Sequence, residues 1–208
     1  MEIEIYGLEK KLSLSNGWNI CPPEKKFPVT STIIQKETAY SSCMVVIYPI
    51  NESESMPMDD IDGIIRTVHN LINDNQGIIE IKSGQKNFPY VYSIVKTYME
   101  KNRVMQYCLS LHMNMMGKYY QVQGFFEEYG TTGYRDAVVL ELMRRKDVVT
   151  IDENTEKLIG WFRDPYDPNF NKGRLMNLSE QEEFDDVFPY HPLSETRRFI
   201  TELSSNKL

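Results

Sequence analysis

Residues able to do chemistry are few in this 208-residue chain, and they are scattered. Histidine, the side chain that most readily moves a proton near neutral pH, occurs at His69, His112 and His191, in three separate stretches. Neither a Gly-x-Ser-x-Gly elbow nor a paired Cys/His motif accompanies them, so the pattern predicts no activated nucleophile and no catalytic residue. His69 and His112 read as boundary or surface residues. Asp167-x-Asn169-x-Asn171 opens like a calcium loop, but Lys172 stands where a glycine turn is needed and Leu178 where a bidentate glutamate is needed. The expectation is no metal site and no cofactor.

Two regions could bind something. Gly130-Thr-Thr-Gly-Tyr-Arg-Asp136 places two glycines ahead of a helix start, where backbone N–H groups can face an anion. It lacks the lysine and spacing of a P-loop, and Arg135 and Asp136 read first as groups that cap the helix or pair with the tail. Trp161-Phe-Arg-Asp164 and Phe188-Pro-Tyr-His-Pro192 gather aromatics, an arginine and prolines in irregular sequence. Such residues populate interface hot spots, and they also anchor tails onto domains. The candidate binding residues are therefore Arg135, Asp136, Trp161, Arg163 and His191.

The elements that must position them come mainly from residues 78–146. Val104–Met113 and Lys118–Phe126 read as strands joined by Asn114-Met-Met-Gly117, a hairpin with glycine at a positive-φ position. Ile78–Lys82 and Phe88–Met99 precede them, completing an antiparallel meander. Tyr134, Ala137, Val138, Leu140, Leu142 and Met143 follow as a helix expected to lie on the sheet, with Arg144-Arg-Lys146 at the end its dipole favours.

Upstream, Met1–Gly7 alternates like an edge strand. Leu8–Ser15 and Gly17–Pro22 suggest a hairpin across Asn16-Gly17, with Trp18 and Ile20 on one face. Val29–Lys36 and Ser42–Tyr48 read as further strands, the second stopped by Pro49. Ile61, Ile64, Ile65, Val68, Leu71 and Ile72 repeat at helical spacing behind Asp59 and Asp60, and Gly77 is the expected C-cap. Beyond Asp147 strand patterning fades until Pro192–Leu203, an amphipathic helix through Leu193, Phe199, Ile200 and Leu203. The chain thus divides into an α+β domain over 1–146 and an extension over 147–208 that wraps it without forming a second core.

Composition narrows the function classes. A hydrophobic fraction of 41% with 13 tyrosines and 9 phenylalanines excludes a disordered chain. A net charge of -7 without a Lys/Arg stripe disfavours nucleic acid and anionic membrane as partners. No run approaches the roughly 18 apolar residues of a membrane span, and Met1–Gly7 has no basic n-region or apolar h-region of a signal peptide. Cys21, Cys43 and Cys108 are odd in number and sit in apolar segments, which reads as buried thiols in a reducing cytoplasm.

The order of hairpin, two strands, helix, meander and helix, opened by Asn16-Gly-Trp-Asn-Ile-Cys-Pro22, resembles the PsbP-like fold family over roughly residues 1–146. That family includes an extrinsic photosystem II subunit, a nuclear protein that binds the Ran GTPase, and many small bacterial proteins. The resemblance implies an antiparallel sheet in an α/β/α sandwich and a non-catalytic module that binds something through its surface. A complete fold without catalytic groups adds the expectation of a bacterial cytoplasmic binding or adaptor module whose ligand is another protein. The alternative is a small-ligand-binding protein or hydrolase, with a pocket between the 130–136 loop and the extension.

Overall fold

The computed structural model describes residues 1–207. The chain opens with β1 (Glu2–Ile3), β2 (Leu12–Ser13), β3 (Asn19–Cys21), β4 (Thr32–Glu37) and β5 (Ser41–Ile50). After α1 (Ile61–Leu71) come β6 (Gln76–Gln85), β7 (Pro89–Met99), β8 (Val104–Met115) and β9 (Lys118–Glu128), and then α2 (Tyr134–Arg145). The C-terminal segment holds β10 (Thr150–Ile151), β11 (Leu158–Ile159), β12 (Phe162–Arg163), β13 (Met176–Asn177) and α3 (Pro192–Ser204). The fold is α+β. Seven strands form one antiparallel sheet in the order β3-β4-β5-β9-β8-β7-β6, so α1 carries the chain from β5 to the far edge and the meander returns to pair β9 with β5.

Side-chain alternation decides which helix covers which face. Leu109, Leu111 and Met113 of β8, with Val122 and Phe126 of β9, point to one face, where Leu193, Phe199, Ile200 and Leu203 of α3 seal the main core with the N-terminal residues Ile3, Leu12 and Trp18. Phe199 packs between Trp18 and Phe126, with ring centroids 5.4 and 6.3 Å away. Burying each such side chain contributes roughly 1.5–3 kcal/mol. On the opposite face, Ile64 of α1 closes a smaller core over Ile78, Ile81 and Val91.

The β8–β9 hairpin turns tightly, with Met116 and Gly117 at φ 55° and 79°. This pair of positive angles is what a two-residue type I′ turn requires.

Several local expectations are corrected. Asn16-Gly17 is a corner rather than a hairpin turn: β2 pairs with β1, and β3 pairs with β4. Trp18 is buried while Ile20 is exposed, because Ile20 sits on the edge strand β3 with a neighbouring strand on one side alone, whereas Trp18, just before the strand, packs on Phe199 of α3. Pro49 does not end β5; it stands opposite Tyr120 inside the ladder. Gly77 lies within β6, not at a helix cap, and its missing side chain admits the carbonyl of Arg174, which a Cβ would meet at 1.7 Å. His112 is buried on β8 and accepts a hydrogen bond at Nδ1 from the Met56 N–H, 3.1 Å. Of the three cysteines only Cys43 is buried; Cys21 and Cys108 are partly exposed, and all are free thiols.

The largest correction concerns α2 and the C-terminal segment. Val139 and Met143 of α2 pack on Val149, Trp161, Leu178, Phe184 and Phe188, a hydrophobic cluster separate from the sheet's core. The segment also carries two small ladders, β10–β11 and β12–β13. Their strands are two residues long, too short for alternation to show in sequence. It fastens to the edge strand β6 as well, where the Tyr166 hydroxyl accepts from the Ile81 N–H and donates to the Ile81 carbonyl. One phenol thus replaces a neighbouring strand at that point of the edge.

Candidate functional site

Arg135, one residue into α2, is almost fully buried. Its Nε donates to the Ser179 carbonyl at 2.6 Å, one terminal nitrogen to Asp185 (3.0 Å) and Ser194 Oγ (2.8 Å), and the other to the Gln181 carbonyl (2.9 Å). A guanidinium has five N–H donors in a fixed fork, and here four contacts from the C-terminal segment engage it. Arg197 on α3 grips Asp185 from the other side, at 3.1 and 3.2 Å. Arg135 therefore joins α2 to the segment leading into α3.

Asp136 makes a parallel link through Asn177 Nδ2 and the Ser179 hydroxyl. Burial and the nearby Glu180 carboxylate raise its pKa, against the lowering effect of Ser179, Lys96 and Asn177.

Above Arg135 lies a cavity of about 280 Å³ between the loop that follows β9 and residues 187–191. Its polar wall is Glu128, Thr131, Arg135 and His191. Its remaining wall is Tyr40, Tyr134, Val187, Phe188, Pro189 and Tyr190. Tyr134 and Phe188 meet edge to face at 5.9 Å, and Arg135 lies 5.8 Å over the Phe188 ring. The mouth exposes Tyr40, Tyr134, Val187 and Tyr190.

His191 is the N-cap of α3. Its Nδ1 accepts from the Leu193 N–H at 3.3 Å, which leaves Nε2 as the protonated nitrogen, 3.7 Å from Glu128 Oε1. Burial pushes the imidazole below its ordinary pKa, and the Arg135 charge acts in the same direction against the opposing pull of Glu128.

Burial would raise the Glu128 carboxyl, but the His191 contact and the N–H groups of Gly133 (3.0 Å) and Met105 (3.1 Å) outweigh it and hold its pKa below the usual range. Glu128, Arg135 and His191 are thus each engaged by the protein itself. The lining offers Thr131 and the tyrosines as its hydroxyls, with no serine or cysteine among its described lining residues.

In this cavity the structure brings together two of the five sequence candidates, Arg135 and His191; Asp136 and Trp161 meet elsewhere. Trp161 is buried in the α2 cluster and borders a different hollow, shared with Asp136 and Lys96. Arg163 sits on β12 in a third groove, beside β6 and Tyr166. Sequence reading missed Tyr40 and Glu128, since a turn tyrosine and a strand-end glutamate carry no local signal. The run Phe188–His191 was visible as an aromatic cluster.

A scan against protein-family models finds no match, and a search of curated proteins finds no relative.

Proposed function

We propose that the chain is a non-catalytic protein-binding module of PsbP-like layout that acts in the bacterial cytoplasm. Its cavity between the 130–136 loop and residues 187–191 receives an apolar side chain of another protein. The observation that carries this reading is the pairing of a closed polar wall with an open apolar mouth. Glu128, Arg135 and His191 spend their hydrogen bonds internally, while Tyr40, Val187 and Tyr190 stand exposed around the entrance. Exposed aromatic rims around a pocket favour anchoring of a partner side chain over proton transfer.

The three free thiols suit a reducing compartment, and the net charge of -7 favours protein over nucleic acid. Among the described residues no helix is long and apolar enough to cross a membrane. The PsbP-like part of the proposal rests on the order of β4, β5, α1, the β6–β9 meander and α2 alone.

The test is site-specific photo-crosslinking in cells that make the protein, with the probe at Tyr190 and, as control, at the exposed Tyr6. A discrete protein adduct from Tyr190 alone is expected. Equal labelling from both positions would sink the reading.

A second reading, a small apolar ligand in the same cavity, is favoured by its volume, which sits near the lower end of small-molecule sites, roughly 300–1,000 Å³. Native mass spectrometry of the purified protein distinguishes the two, since a retained small molecule appears as a defined mass increment.

A further inference from the structure

Helix α2 is bonded to the C-terminal segment on one side and bare on the other. Tyr134, Ala137, Val138 and Leu142 are all exposed and fall at i, i+3, i+4 and i+8, the spacing that places residues along one helical stripe. Ala137 at its centre leaves room for a close backbone approach. The stripe is about 12 Å long, and the two ends of the helix carry opposite charge.

At the C-terminal end stand the exposed Arg144, Arg145 and Lys146. At the N-terminal end the Arg135–Asp185 contact of 3.0 Å holds residues 183–186 alongside the first turn, and there Glu183 and Asp186 are exposed.

We infer that this stripe is the two-fold interface of a homodimer, its occupant being α2 of a second copy packed antiparallel with Val138 at the axis. A surface that carries Tyr134, Val138 and Leu142 along its middle beside the Glu141–Arg145 ion pair (2.8 Å), and that is basic at one end and acidic at the other, is complementary to itself when rotated by two-fold symmetry. Tyr134 then faces Leu142 of the second copy, and the basic run of each chain lies over Glu183 and Asp186 of the other. The antiparallel arrangement also opposes the two helix dipoles favourably. In such a dimer each cavity mouth is bordered by the second copy's basic run, giving two equivalent sites at opposite ends of the paired helices.

Sedimentation velocity over a wide concentration series tests this on the full chain. The wild type is expected to pass from one-chain to two-chain mass, and Val138→Glu to weaken the association by about a hundredfold or more, as an unpaired charge at the buried axis requires. Two charge variants, R144E/R145E and E183K/D186K, are each expected to weaken self-association. Mixed in equal amounts they are expected to restore it, because each supplies the charge the other needs, an outcome that misfolding of either variant cannot produce.

A wild type of one-chain mass at every concentration overturns the inference, as does a dimer indifferent to Val138→Glu or a mixture that stays dissociated. Each of these results leaves the cavity reading standing, since that reading requires a Tyr190 adduct whose added mass differs from one copy of this chain, whereas an adduct of two-chain mass reports on the dimer.

Discussion

Helices α3 and α2 are built in opposite ways, although they share the same buried polar seam. α3 is buried nearly all round, including Ser194, Glu195, Thr196 and Arg197, and its charges are matched inside the protein. Glu195 meets Lys36 at 2.8 Å, and Arg197 meets Asp185. α2 buries an arginine and turns tyrosine, valine and leucine outward. Position in the layered fold, not side-chain polarity, decides what is covered: α3 fills one face of the sheet, whereas the buried Val139 and Met143 of α2 pack on the C-terminal segment. The first arrangement holds the fold, and the second presents a surface.

The sealed side should therefore break hardest. Lys96 Nζ lies 2.7 Å from Glu180 Oε2, with both side chains almost wholly buried, and Glu180 also accepts from the Tyr107 hydroxyl (3.0 Å) and the Asn177 N–H (2.8 Å). Lys96→Ala leaves a buried carboxylate without its cation, and the expected loss is about 3–5 kcal/mol by urea denaturation. The double variant K96M/E180Q removes both charges, its carboxamide oxygen accepting from the Asn177 N–H and its NH2 donating to the Tyr107 hydroxyl, and it should recover most of that loss. A double variant as unstable as Lys96→Ala would show that the ion pair, rather than its unmatched half, is what matters.

Gly77→Ala should have the next largest effect. The Arg174 N–H donates to the Gln76 carbonyl at 2.7 Å, and an added Cβ at residue 77 would fall 1.7 Å from the Arg174 oxygen. The C-terminal segment must then shift away from β6, at a cost of roughly 1–3 kcal/mol. Faster limited proteolysis within residues 164–175 is expected, with cleavage elsewhere little changed. Uniformly faster cleavage would mean that the segment is not separately fastened.

These sites mark the limit of what was legible in the sequence. The meander was readable because Cys108 to Met113 alternates over a long strand, and α1 because its isoleucines repeat every three or four residues. The pairing of Lys96 with Glu180, or of Arg135 with Asp185, joins residues far apart in the chain, and no local period records it. The sequence of α3 after Leu193 reads Ser-Glu-Thr-Arg-Arg, the composition of a solvated helix face, because partners from β4 and the C-terminal segment satisfy it. Arg135 and Asp136 were expected to cap α2 or pair with the tail, and they pair with it. Trp161 and Arg163 were grouped with His191 by composition, and the fold separates them.

A smaller effect is expected from pH. Burial pushes His112 down to about 4, against about 6.5 for an unperturbed imidazole. Since the folded-state pKa is depressed, the fold favours the neutral ring. The stabilisation is complete above about pH 6.5 and is lost as pH falls through the folded value near 4. His112→Asn keeps an acceptor for the Met56 N–H and cannot gain a proton, so its stability should decline less steeply than wild type over that window. Parallel curves would exclude His112 as a source of acid sensitivity.

The smallest change in stability is expected at the cavity mouth. Tyr190 is 54% exposed, and its neighbour Phe188 is 9% exposed within the α2 cluster. Tyr190→Ala should shift stability by no more than about 0.5 kcal/mol, whereas Phe188→Ala leaves a void under α2 and should cost about 3–5 kcal/mol. If the mouth presents a binding surface, Tyr190→Ala removes the crosslinked adduct from a probe placed at Val187 while the denaturation midpoint stays in place. Loss of stability at Tyr190 would instead make the rim part of the sealed interior, and the contrast between α2 and α3 would then be one of degree.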